Sequence, residues 1–261
     1  MTDKIISKVE NGIGWLIFNN AEKRNAVNLA MAAKVAEVLN GYADNPDVRV
    51  VVLRGEGGKS FVAGMDISEF EERRSSPELI KEYESISNVM YTSIKGCPKA
   101  TIAMIEGFCM GGGVAVACGC DFRICRDDSV FAVPAARLGI AYRSHFTRWV
   151  LEAVGPSTAK EILMTARRYD AANAHRLGLV NHVVSADDIE AFVLDYAATI
   201  ADNAPLSVMA AKETVNQVSK SYGDWDPAIC EAWQEKCSGS EDYKEGRRAF
   251  MEKRKPEFKG V

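Results

Sequence analysis

Short apolar runs separated by turn residues fill the first two thirds of the chain, while the last quarter carries only helical spacing. Residues 4–9 and 13–18 (KIISKV and IGWLIF) predict two strands joined by the turn Glu10-Asn11-Gly12. From Asn28, NLAMAAKVAEVLNGYAD repeats its apolar positions with helical period, and Asn28 suits the N-cap. VRVVVLRG at 48–55 predicts a buried strand, and FVAGMD at 61–66 a short extended piece entering a helix. A polar, charged segment follows over 67–84, then a helical stretch ending before Cys97-Pro98. Further strands are predicted at 101–106, at 121–127 and 130–134 around the turn Asp127-Asp128-Ser129, and at 179–184. Helices dominate from 144 onward, and 205–255 predicts three of them. Strand–strand–helix units followed by helices predict an α/β core over residues 1–204 and a helical region over 205–261.

Residues 100–121, KATIAMIEGFCMGGGVAVACGCD, carry the strongest chemical signal. They predict a buried strand, a sharp turn, and three glycines opening a helix of small residues. Successive glycines let backbone N–H groups approach a ligand without side chains in between. At a helix start those N–H groups have no carbonyl partner, and the helix dipole favours negative charge there. Such a site suits an anion formed during a reaction, for example the enolate oxygen of a thioester.

Composition narrows the partners. The net charge of −4 and the absence of basic, aromatic-interleaved segments argue against nucleic acid. No apolar run approaches the ~20 residues that span a bilayer. MTDKIISKVE has no hydrophobic signal core, so a cytoplasmic protein with reduced thiols is expected. Cys118, Cys120 and Cys125 match no zinc spacing and are expected as buried small residues; no metal is expected.

Five segments in order, EKRNAVN (22–28), SFVAGMDI (60–67), IEGFCMGGG (105–113), FAVPAARLGI (131–140) and AFMEKRKPEF (249–258), resemble the enoyl-CoA hydratase/isomerase (crotonase) superfamily. The resemblance implies a crotonase-like spiral of ββα units with a C-terminal helical trimerisation region, often with trimers paired into hexamers. It also implies acyl-CoA substrates of fatty acid metabolism, with no cofactor beyond the coenzyme A of the substrate. By position, Ala63 and Gly112, flanked by Gly64 and Gly111, would supply two oxyanion N–H groups. Lys23, Arg24 and Ala26 would lie along the coenzyme A, and Met65, Asp66 and Ile67 would border its adenine. Phe250 and Lys253 match a pair that reaches coenzyme A from a neighbouring subunit.

Ala115 and Ala135 stand where hydratases of the superfamily carry two glutamates, and alanine has no proton to exchange. General acid–base catalysis contributes roughly 10²–10⁴-fold, so ordinary hydration would be nearly silenced. Tyr142, Arg143 and His145 are the remaining candidates for local chemistry. Tyr142 is a donor or carboxylate-orienting group in one reading, a packed tyrosine with a satisfied hydroxyl in the other. Arg143 is expected in a surface or intersubunit ion pair, or holding a substrate carboxylate. His145 is expected at a helix start with its ring on a neighbouring carbonyl. LGIAY and the C-terminal segment are similar to the methylmalonyl-CoA decarboxylase branch, which has a tyrosine at Tyr142 but a histidine at Met65. The residue set therefore favours an acyl-CoA lyase that decarboxylates a short malonyl-type thioester. The alternatives are a hydratase or isomerase using unconventional residues, and a non-catalytic acyl-CoA binder.

Overall fold

The computed structural model describes residues 2–66, 77–220 and 224–261. The chain begins with strands β1 (Ile5–Glu10) and β2 (Ile13–Phe18), then helix α1 (Leu29–Asp44), β3 (Val50–Gly55) and β4 (Ser60–Val62). Helix α2 (Pro77–Lys95), β5 (Ala100–Ile105), β6 (Phe108–Met110), helix α3 (Gly112–Gly119), β7 (Phe122–Arg126) and β8 (Val130–Ala132) follow. Next come α4 (Ser144–Thr165), β9 (Tyr169–Asp170), α5 (Ala171–Arg176), β10 (His182–Val184) and α6 (Ile189–Ala201). Helices α7 (Pro205–Val218), α8 (Pro227–Ser238) and α9 (Glu241–Glu252) close the order.

The strands form two sheets, one in the order β1-β2-β3-β5-β7-β10 and one in the order β4-β6-β8-β9. Only the β1–β2 and β8–β9 pairings are antiparallel. Each successive turn of chain lays one strand in each sheet, as in β3–β4, β5–β6 and β7–β8, so the path is a spiral. The larger sheet is covered on both faces. Leu16, Phe18, Val51, Leu53, Ala103 and Ile105 pack towards α1 to α4. Trp15, Ile17, Val50, Val52, Ile102 and Met104 pack with Ile189, Val193 and Ala197 of α6. Double coverage explains why these strands read as continuous apolar runs rather than alternating ones.

The Asn28 cap is present: its Oδ1 accepts from the Met31 N–H at 2.8 Å. Two strands are additions to the sequence reading. β6 was hidden in the turn before the glycines, and β9 is only two residues long. Helix α2 starts inside the segment read as polar, and residues 67–76 lie outside the described residues. The C-terminal helices are tied to the core by Lys212, whose Nζ donates to Asp121 Oδ2 at 2.7 Å and the Lys99 carbonyl at 2.9 Å. Among the described residues no helix is long and apolar enough to cross a membrane, and no three His, Cys, Asp or Glu side chains converge as metal ligands.

Candidate active site

β4 and β6 are parallel neighbours, with Ser60 opposite Phe108 and Val62 opposite Cys109. The residues that leave these strands, Ala63 and Gly112, are therefore brought side by side although they belong to different turns of the spiral. A Cβ on Gly64 would lie 3.4 Å from the Gly112 nitrogen. Gly64 has φ +103°, a conformation open to glycine, and it turns the chain away after Ala63. Gly111 caps α3, and Gly113 lies against the Val62 carbonyl so closely that any Cβ there would collide with it. Among the turn and loop hydrogen bonds of the described residues, neither Ala63 nor Gly112 donates its N–H. The two residues that the motifs single out are thus neighbours in space.

Both N–H groups open onto a cavity of about 520 Å³. Its walls come from Gly64, Met65 and Asp66, from Tyr83, Glu84, Ser87 and Tyr91 of α2, and from Ala135, Tyr142 and Arg143. Tyr142 is half-buried, its ring lies 5.5 Å from that of Phe146, and its hydroxyl donates to the Gly111 carbonyl at 3.0 Å. Burial pushes its phenol well above the usual range, so it stays protonated.

Arg143 is in no ion pair among the described residues. Its Nη1 donates to Ser87 Oγ at 3.2 Å, its guanidinium lies 5.7 Å from the Phe146 ring centre, and it lines the cavity. His145 departs from its expected bond: its Nε2 is buried with no hydrogen-bond partner, and the ring packs edge-on to Phe146 and Trp149. Burial, then the Arg143 charge, lowers its pKa.

Asp66 ends the described segment that leaves β4. It is 8% exposed, and its Oδ2 lies 2.7 Å from Lys23 Nζ. The loop carrying Lys23 is fixed by Asn25, fully buried, whose Nδ2 donates to the Glu56 and Ser60 carbonyls. Val27 bridges Met65, and the Ala26 carbonyl accepts from Asn20 Nδ2 at 2.8 Å. Arg24 lies apart from Lys23, over the Phe108 ring at 5.1 Å. Ala135 lines the cavity, whereas Ala115 is fully buried in the core and does not. Ile67 and the charged residues 69–74 lie outside the described residues. Phe250 is 82% exposed and, like Lys253, remote from this cavity in its own chain. Sequence reasoning missed Tyr83, Ser87 and Tyr91, which share one face of α2 at four-residue spacing.

A larger hollow of about 850 Å³ lies between α7 and the core. Several of its charges are paired, Lys212 with Asp121 and both Lys95 and Arg148 with Glu152, and Arg123 is spent on the Leu179 and Cys120 carbonyls.

A spiral of mostly parallel strands that brings Ala63 and Gly112 from adjacent turns together on one cavity defines a spiral α/β protein with its candidate site between two turns. The sequence pattern of the enoyl-CoA hydratase/isomerase family matches residues 8–261, and the chain belongs to that family. It is 33% identical to the crotonyl-CoA hydratase of Syntrophomonas wolfei over 98% of both chains. It is 34% identical to the carnitinyl-CoA dehydratase of Proteus mirabilis, over 91% of this chain and 92% of that one. The crystal structure of an enoyl-CoA hydratase/carnitine racemase from Magnetospirillum magneticum superposes with a TM-score of 0.92 at 33% identity, covering 100% of this chain and 97% of that one. The protein is thus an enzyme of the hydratase/isomerase superfamily with the crotonase fold.

Proposed function

We propose that this enzyme decarboxylates a short malonyl-type CoA thioester, with the thioester oxygen in the cleft between the Ala63 and Gly112 N–H groups. The bond between the α-carbon and the carboxylate breaks, CO2 leaves, and the electron pair passes into the enolate. Two preset donors stabilise that charge more in the transition state than in the bound substrate.

The observation that carries this reading is Arg143, a guanidinium on the cavity wall without a carboxylate partner among the described residues. A substrate carboxylate fits it bidentately. The contact is lost as CO2 leaves, so Arg143 acts on substrate affinity and orientation rather than on the barrier. Ala135 in the wall and Ala115 beneath it leave no acid or base at those two positions to activate water. Tyr142 serves by holding Gly111 and by bordering the acyl group. Lys23, Arg24, Ala26, Met65, Asp66 and Ile67 are assigned to coenzyme A. Homotrimers, singly or as hexamers in the cytoplasm, would bring Phe250 and Lys253 of one chain to the coenzyme A of the next.

Hydration of crotonyl-CoA is the second reading, favoured by the names of the relatives. It needs a water-activating group, and the carboxylates on the cavity are Asp66, paired with Lys23, and the exposed Glu84.

Purified protein incubated separately with methylmalonyl-CoA and crotonyl-CoA, with products followed by mass spectrometry, tests both. Propionyl-CoA from the first alone is expected, and Arg143→Leu should raise KM far more than it lowers kcat. Efficient formation of 3-hydroxybutyryl-CoA would reverse the assignment. Binding of both thioesters without product would make the protein a non-catalytic binder.

A further inference from the structure

Decarboxylation leaves one requirement unmet by the groups named so far, because the α-carbon of the enolate must receive a proton. The polar groups on the cavity differ in whether their protons are committed. The Tyr142 hydroxyl donates to the Gly111 carbonyl at 3.0 Å. Ser87 Oγ donates to the Glu84 carbonyl at 3.1 Å and accepts from Arg143. Asp66 is held by Lys23.

Tyr91 stands apart. Its side chain is 2% exposed, yet its hydroxyl lines the cavity and has no hydrogen-bond partner among the described residues. Its oxygen opens onto the cavity, so its proton is uncommitted and free to meet a ligand bound there. The hydroxyl lies directly against Gly112, where a Cβ on that residue would collide with it. The ring cannot drift from this place, since it packs on Phe146 with centroids 4.3 Å apart. An enolate whose oxygen sat on the Gly112 N–H would lie within reach of this hydroxyl.

We propose that Tyr91 is a catalytic residue, the donor that protonates the α-carbon of the enolate. The inference rests on the enolate reading given above. The Tyr91 O–H bond breaks as the α-carbon C–H bond forms, the thioester C=O is restored, and the resulting tyrosinate takes a proton from water at the cavity mouth. Burial holds the Tyr91 pKa above the usual range, so the phenol keeps its proton until an enolate forms. The positive charge of Arg143 opposes that rise and stabilises the tyrosinate left behind.

Methylmalonyl-CoA turned over in D2O by the wild type and by Tyr91→Phe provides the test, with the C2 deuteron of propionyl-CoA located by NMR. The wild type should deliver the deuteron to one face. Tyr91→Phe removes only a hydroxyl that bonds to nothing, so its thermal midpoint and its affinity for propionyl-CoA should stay at wild-type values. Its kcat should fall about 10²-fold or more, with the deuteron distributed over both faces. Wild-type rate and single-face delivery in Tyr91→Phe would overturn the proposal. A wild type that releases no propionyl-CoA would overturn the decarboxylation reading instead. Exchange of the α-hydrogen of butyryl-CoA with D2O then decides for Tyr91. Exchange slowed about 10²-fold by the substitution supports the role, and equal or absent exchange in both proteins ends it.

Discussion

Tyr142 reaches across the cavity and donates its hydroxyl hydrogen to the Gly111 carbonyl oxygen at 3.0 Å. The residue immediately before the Gly112 donor is thus held from the opposite wall. Tyr142 therefore holds the backbone next to Gly112, and Arg143 beside it lines the same cavity.

Removing that tie should loosen the cleft. A single hydrogen bond is worth about 1 kcal/mol net, so Tyr142→Phe should lower kcat about 5- to 10-fold with a smaller change in KM. Steady-state kinetics on the substrate identified above check this.

Gly113 admits no side chain. The Val62 carbonyl occupies the place of its Cβ, so Gly113→Ala must push α3 away from β4. A loss of about 1–3 kcal/mol is expected in urea unfolding, together with loss of turnover. An unchanged unfolding midpoint would contradict the close approach.

Lys212 is the pin between α7 and the sheet. Asp121 Oδ2 accepts from it and also from the Thr101 N–H and Oγ1. Lys212→Met leaves that carboxylate, 22% exposed, without its cation. Stability should fall by about 2–3 kcal/mol, and protease should cut first near 205–224.

Glu245 gathers the C-terminal residues. Its carboxylate accepts from Arg248 and Arg254 and from the Glu257 N–H, and these bonds, Arg254 first, hold its pKa well below the usual carboxylate range. A depressed folded pKa stabilises above the unfolded value of about 4.3 and ceases to do so as pH falls through the folded one. Residues 253–261 should therefore be cut by pepsin progressively faster as pH falls below about 4, and Glu245→Gln should show that rate already at neutral pH with a protease active there.

Much of this was legible from the residues. The Asn28 cap, the glycine-led helix and the three C-terminal helices follow from local rules that tertiary packing did not override. Ala63 and Gly112 were placed by motif, and β4–β6 pairing supplies the physical reason. The rest depended on distant contacts. Tyr83, Ser87 and Tyr91 form a stripe only once helix α2 is known to begin at Pro77, and the charged stretch before it masked that start. The ion pair of Asp66 could not be read from the sequence because its partner, Lys23, lies in a loop set by Asn25. Arg143 bonds Ser87 and has no carboxylate partner among the described residues, and His145 Nε2 lacks its expected carbonyl, since neither spacing nor composition shows what lies opposite a loop.

The pairing of β4 with β6 has a further consequence for how such a protein changes over time. The gap between its two charge-holding groups is fixed by the ~4.8 Å distance between hydrogen-bonded strands, a dimension no codon specifies. Substitution can remake every side chain around the substrate while that gauge stays constant. New reactions can therefore arise on such a frame by redecorating the walls, and an alanine at position 135 of the cavity leaves the β4–β6 spacing untouched.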